Sequence, residues 1–319
     1  MSQFQARKIF PLLAALGSWT GIFFLLFIFG QLLPEFDPRL ATFIAAALLT
    51  TLSILVVYGF SRLQLNRQTY LLIGTIGLAL VFLAAKPSVE RSRQINLCGD
   101  QPGQILFLTV QNATLQPFSD QLVLGLRNEL FAEIRNFVAD AVPESALLIA
   151  LLCLMQLTLA SGIGLWIAEG IDDITHLIPV ALVATIADIW SVSAGATAKI
   201  VVSSSINYFL LRFPLPAYAS IPYLIGLTDF LFFAIFFQAA VRYQLGALRN
   251  AVLLAAAFII AVISALYSST GLPVLPFMAF LFIAGNFRRL EWKKEELKQV
   301  GLFVIFILII FAILSYKLH

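Results

Sequence analysis

Residues 177–197 read LIPVALVATIADIWSVSAGAT and residues 221–241 read IPYLIGLTDFLFFAIFFQAAV. Each run is about as long as the ~20 apolar residues a helix needs to cross hydrocarbon, and each carries a single carboxylate, Asp188 in the first and Asp229 in the second. An acidic side chain at the centre of such a segment costs roughly 2.5–3.5 kcal/mol on insertion scales, so its presence there is a functional hypothesis by default. No other acidic residue of the chain lies so deep inside an apolar run.

Working outward, further apolar runs cover residues 10–33, 41–60, 70–85, 146–167, 250–267, 272–286 and 301–316, which with the first two gives nine expected spans. The composition agrees: a chain of 319 residues that is 61% hydrophobic and 12% charged cannot enclose a core with an ordinary polar surface. The net charge of +3 is too small to point to nucleic acid, and the lipid bilayer is the expected partner. The first run follows Arg7 and Lys8 as a secretory signal would, but it is too long for a signal core and is expected to be retained. Cys98 lies in a polar stretch and Cys153 in an apolar one, so they are not expected to pair.

Lys and Arg accumulate in short cytoplasmic loops. With the N terminus inside, the inner loops contain Arg7 and Lys8, Arg62 and Arg67, Arg242 and Arg249, and the group Arg288, Arg289, Lys293, Lys294 and Lys298. The C terminus then faces outward, and the short loops point to a prokaryotic plasma membrane. Four regions are expected: a three-span bundle (1–85), an extracytoplasmic loop (86–145), a membrane core carrying both aspartates (146–286), and a basic cytoplasmic segment with a last span (287–319). Within the loop, residues 105–110 read as a strand, and Leu122, Leu126, Leu130, Ile134 and Val138 mark one face of an amphipathic helix.

Counting helical rise from the ends of their spans puts both aspartates at similar depth, about 16 Å and 18 Å from the inner surface. Two adjacent carboxyls of like charge do not both ionise readily, so such a pair shares a proton. That is the acid and base of an aspartyl protease: the ionised Asp takes a proton from a bound water, and the protonated Asp donates to the substrate carbonyl. This chemistry requires no cofactor and no metal. An interhelical hydrogen-bonded pair or a proton relay would use the same residues.

The residues around the pair resemble those of the presenilin and signal-peptide-peptidase family of intramembrane aspartyl proteases. Asp188-Ile189-Trp190-Ser191-Val192 is similar to the segment after the first catalytic aspartate, Gly226-Leu227-Thr228-Asp229 to the GxGD motif, and Pro273-Val274-Leu275 to the PAL motif, in the family's order. Leu211-Arg212-Phe213-Pro214 resembles the peptidase branch, and the similarity covers residues 177–286. The resemblance implies an all-α, polytopic, presenilin-like bundle in which Asp188 and Asp229 are catalytic. It also implies that Gly226, Leu227, Thr228, Pro273, Val274 and Leu275 shape the cleft, and that single-span transmembrane helices or signal-peptide remnants are cut.

Two residues depart from the pattern. Ala187 stands where the family usually has Tyr, and Thr228 replaces the second Gly of GxGD, where its branched side chain either crowds the carboxylate or hydrogen-bonds it. There are four spans before Asp188, where the family has five, and one added span after the PAL-like piece. These departures leave open an inactive relative that serves as a helix-binding scaffold. A transporter that couples flux to a proton or cation at the Asp pair is the other alternative.

Other polar residues are weaker candidates. Glu169, Asp172, Asp173 and His176 would share one face if helical, giving a possible set of metal ligands that a solvated loop explains equally well. Gln156 and Gln238 read as interhelical hydrogen-bonding groups. Residues 288–299 mix charges around Leu290, Trp292 and Leu297 and read as an interfacial anchor.

Overall fold

In hydrocarbon a long apolar run satisfies its backbone N–H and C=O groups by closing i to i−4 bonds, and the described chain is mostly helical. The computed structural model describes residues 3–29, 38–100, 145–193, 206–214, 223–268 and 274–287, with residues 289, 298 and 302. The helices are α1 (Gln3–Phe29), α2 (Pro38–Arg62), α3 (Arg67–Asp100), α4 (Ala146–Glu169), α5 (Leu177–Ser193), α6 (Leu227–Arg242), α7 (Ala247–Ser268) and α8 (Val274–Asn286). A short 3-10 turn, Ile174–His176, precedes α5, and a helical turn, Ile206–Phe209, leads into strand β1 (Leu210–Arg212), which pairs antiparallel with β2 (Tyr223–Gly226).

Among the described residues, four helical stretches are long and apolar enough to cross a membrane: Ile9–Ile28, Leu40–Arg62, Arg67–Lys86 and Ala146–Glu169. Shorter apolar helices cover Leu177–Ile186, Ala247–Ile263 and Val274–Asn286. Large apolar side chains point outward along these elements, among them Leu13, Leu72, Leu83, Leu147 and Val252. Such surface is unfavourable in water and ordinary in lipid. The expected span 301–316, the expected strand 105–110, the amphipathic helix 122–138 and most of residues 288–299 lie outside the described residues.

Helix α4 is the hub, packed against α3, α6, α2 and β1. It approaches α3 so closely that a Cβ on Gly162 would stand 2.4 Å from the main-chain nitrogen of Gly74. Small residues at such a crossing let two backbones meet where lipid provides no hydrophobic force to press them together. Helix α6 is apolar on nearly every face, as a helix enclosed by others must be. Its Phe230 stacks on Phe258 of α7 at 5.0 Å, and its Phe236 on Phe282 of α8 at 5.1 Å. Near the other end of the chain, Trp19 of α1 donates its indole N–H to Ser53 of α2 (2.9 Å) and meets Phe213 edge-on.

The expected span 70–85 lies within the apolar stretch Arg67–Lys86, and helix α3 continues beyond it through Asp100. Two expectations change. The all-helical reading fails at β1 and β2, whose register pairs Leu210 with Gly226, Leu211 with Ile225 and Arg212 with Tyr223. Pro214 and Pro222 lie beside these strands in sequence, and proline disfavours helix in the residue before it. Finally, helix α6 begins at Leu227, so the residues before it are extended. They rise about 3.3 Å each instead of 1.5 Å, and the depth arithmetic for Asp229 does not apply to them.

Candidate active site

Asp229 is the third residue of α6 and is buried. Gly226 forms the N-cap with extended backbone (φ −70°, ψ 142°), and its N–H donates to Oδ2 of Asp229 at 3.1 Å. A carboxylate that reaches back from the third helical position to the cap N–H is half of a capping box, and it lies at the positive end of the helix. A Cβ on Gly226 would sit 3.1 Å from this same Oδ2 and 3.3 Å from Oγ1 of Thr228. Glycine is therefore the residue that leaves the carboxylate undisturbed. Among the described residues Thr228 makes no hydrogen bond to Asp229; its side chain is exposed, and its Oγ1 lies 3.3 Å from where a Cβ on Gly226 would stand. Leu227 is partly buried and packs against the hydrophobic cores below.

Asp188 lies in α5, which packs mainly on α8. The main-chain N–H of Leu275, in the first turn of α8, is directed at its carboxyl. The first N–H groups of a helix have no intrahelical acceptor, so the start of α8 offers a donor that needs a partner. Val274 and Leu275 are both buried, while Pro273 lies outside the described residues. Oδ2 of Asp188 is buried with no hydrogen-bond partner among the described residues. The same holds for Oγ1 of Thr185, one turn earlier on the same helix. Thr185 was not singled out from sequence; its i, i+3 spacing to Asp188 is the signal that would have found it.

Asp188 lies within electrostatic reach of Asp229. The carboxyl of Asp229 accepts from the main-chain N–H of Gly226 near the start of α6, and the main-chain N–H of Leu275 faces Asp188. Comparison of the chain with family models, with curated proteins and with solved structures finds no match.

Among the described residues, the sheet that leads to Asp229 has its β1 edge covered by side chains of α4. Nε2 of Gln156 on α4 donates to the carbonyls of Tyr208 and Leu210, both at 3.3 Å, and Sγ of Cys153 lies 3.3 Å from the Arg212 carbonyl and 3.4 Å from its N–H. An open strand edge is not tolerated in hydrocarbon, and these two side chains cover the outer edge of β1. The remaining edge is that of β2, the strand leading directly to Asp229.

The other sequence candidates lie elsewhere. Glu169, Asp172, Asp173 and His176 do not share a helical face, because α4 ends at Glu169 with Gly170 as its C-cap. Among the described residues no group of three or more His, Cys, Asp or Glu is placed to hold a metal ion. Oε1 of Glu169 instead accepts from Gln238 at 2.6 Å, and Oε1 of Gln238 accepts from Ser61 at 2.6 Å, which ties α4, α6 and α2 together.

Proposed function

We propose that the chain is an intramembrane aspartyl protease that cuts single-span transmembrane substrates or signal-peptide remnants, with Asp188 and Asp229 as the catalytic pair. This reading is supported by two aspartates from separate apolar segments lying within electrostatic reach of each other, Asp188 with a buried oxygen that has no hydrogen-bond partner among the described residues and Asp229 held by the Gly226 N–H. A buried polar atom without a partner costs roughly 1–3 kcal/mol, a cost that a water or substrate bonded there removes.

In the mechanism the pair holds one proton and one water. The ionised carboxyl takes a proton from the water as its oxygen attacks the scissile carbonyl carbon, and the protonated carboxyl donates to the carbonyl oxygen. The tetrahedral intermediate then collapses: the C–N bond breaks and a proton passes to the leaving amine. A helical substrate has its carbonyls bonded to its own backbone, so it unwinds before attack. The edge of β2 then receives the extended segment by main-chain pairing, because the edge of β1 is already covered. The Gly226 N–H holds the Asp229 carboxyl in place throughout.

The wider reading is a presenilin-like bundle of nine spans in a prokaryotic plasma membrane, with the N terminus cytoplasmic and the C terminus extracytoplasmic. The purified protein in liposomes, incubated with a panel of single-span peptides and analysed by mass spectrometry, tests the activity. Fragments made by the parent and by neither Asp188→Asn nor Asp229→Asn are the expected result. Cleavage that survives either substitution sinks the two-aspartate mechanism. No cleavage across the panel and a broad pH range favours the inactive scaffold or, where ion flux depends on the pair, the transporter.

A further inference from the structure

Helices α6 and α8 each run from the aspartates toward a second polar centre, about 20 Å away along α6. There the turn between α6 and α7 presents the carbonyl of Leu245 to three donors: Arg289 Nη1 at 2.9 Å, Arg249 Nη2 at 3.1 Å and Asn250 Nδ2 at 3.2 Å. Two guanidinium nitrogens on one oxygen can be no farther apart than the sum of their distances to it. Arg249 is held a second time, by Oδ1 of Asn286, which is itself fixed by buried Asn250 through a 2.6 Å bond from Asn286 Nδ2. Among the described residues neither arginine has a carboxylate partner.

Among the described residues, these arginines line an open pocket of about 650 Å³ together with Ala284, Gly285 and Phe287. Its volume is in the range of ligand pockets. One wall is apolar and continues along α8, because Phe280, Ala284 and Phe287 lie at i, i+4 and i+7 and are all exposed. The stripe runs from the arginines toward the start of α8, so charge sits at one end and apolar surface extends away from it.

We propose that this pocket binds an anionic phospholipid, its phosphate between Arg249 and Arg289 and an acyl chain along Phe287, Ala284 and Phe280. Arginine is suited to this role because its planar fork bonds two phosphate oxygens at once. Two cations held close together repel each other, and an anion between them removes that repulsion. Basic pockets between helices on the cytoplasmic side of a membrane recognise lipid headgroups in this way. The site is independent of the protease reading.

Native mass spectrometry of the full-length protein with phosphatidylglycerol, phosphatidylcholine, diacylglycerol or inorganic phosphate tests it. One phosphatidylglycerol retained in preference to phosphatidylcholine and diacylglycerol is expected. Arg249→Gln with Arg289→Gln should weaken it at least tenfold, while Arg62→Gln with Arg67→Gln and, separately, Asp188→Asn leave it unchanged. Equal loss in the Arg62 and Arg67 variant would show diffuse surface charge and overturn the site. Inorganic phosphate that displaces the lipid at equal concentration would assign the pocket to a soluble phosphate ligand and overturn the lipid reading. Should the Gln variant not fold, a photoreactive anionic lipid on the parent decides: label at residues 280–289 supports the site, and label only elsewhere overturns it.

Discussion

Gly226 is the position at which the smallest added group reaches the chemistry. A methyl there meets Oδ2 of Asp229 at 3.1 Å, so the carboxylate must yield by a few tenths of an ångström. Misplacement of a catalytic group by about 1 Å costs on the order of 10²-fold, and Gly226→Ala should therefore lower the cleavage rate by about tenfold with helical content unchanged. An unchanged rate would mean that Asp229 is not held where catalysis needs it. Thr185 gives the complementary case. Thr185→Val removes a buried hydroxyl that has no partner among the described residues, so stability should hold or rise, whereas kcat should fall severalfold with little change in KM if the hydroxyl meets the water or substrate. The pair itself was legible in sequence because a carboxylate in an apolar run is costly enough to stand out. Thr185 was not, since a Thr in a span is commonplace and only its position beside Asp188 distinguishes it.

At the level of elements, the crossing of α3 and α4 depends on the absence of side chains. A Cβ on Gly162 would face the backbone of Gly74, which cannot rotate away, whereas a Cβ on Gly74 meets the tip of Ile163 at 2.6 Å, which can. Gly162→Ala should therefore destabilise by about 1–3 kcal/mol and by more than Gly74→Ala, as read from thermal unfolding in detergent. The end of α6 is fixed differently: the hydroxyl of Tyr243 donates to the Ile171 carbonyl at 2.7 Å. Partial burial raises its phenol above the usual 10.0, with Arg242 opposing and Asp173, Asp172 and Glu169 adding to the shift. A raised value stabilises the fold below pH 10 and ceases to do so as pH climbs through it, so Tyr243→Phe should flatten the alkaline limb of the stability profile. The helices were legible because long apolar runs permit little else. The strands were not, because LLR and YLIG are too short for a period of two to separate from the apolar run around them.

At the scale of the whole molecule, Arg67 and Arg242 meet at one end of α4. Arg242 donates to the carbonyls of Ala168 and Glu169 at 3.4 and 2.7 Å, and Arg67 lies over the ring of Trp166 at 5.2 Å, so two separate loops meet the last turn of α4. Cations are favoured there by the helix dipole, and positive loops are kept in the cytoplasm during insertion. The proposed orientation then makes a prediction at the opposite end. Cys98, beyond the apolar part of α3, should react in intact cells with a thiol reagent that does not cross membranes, while buried Cys153 stays silent. A cysteine introduced as Gln68→Cys, exposed in the first turn of α3, should react only after the membrane is opened. His319→Cys tests the ninth span, since labelling from outside requires the chain to cross once more after α8. The reverse pattern at residues 68 and 98 would invert the topology and put the Arg249 and Arg289 pocket in the outer leaflet. Labelling of His319→Cys only after permeabilisation would leave the orientation intact and remove the last span.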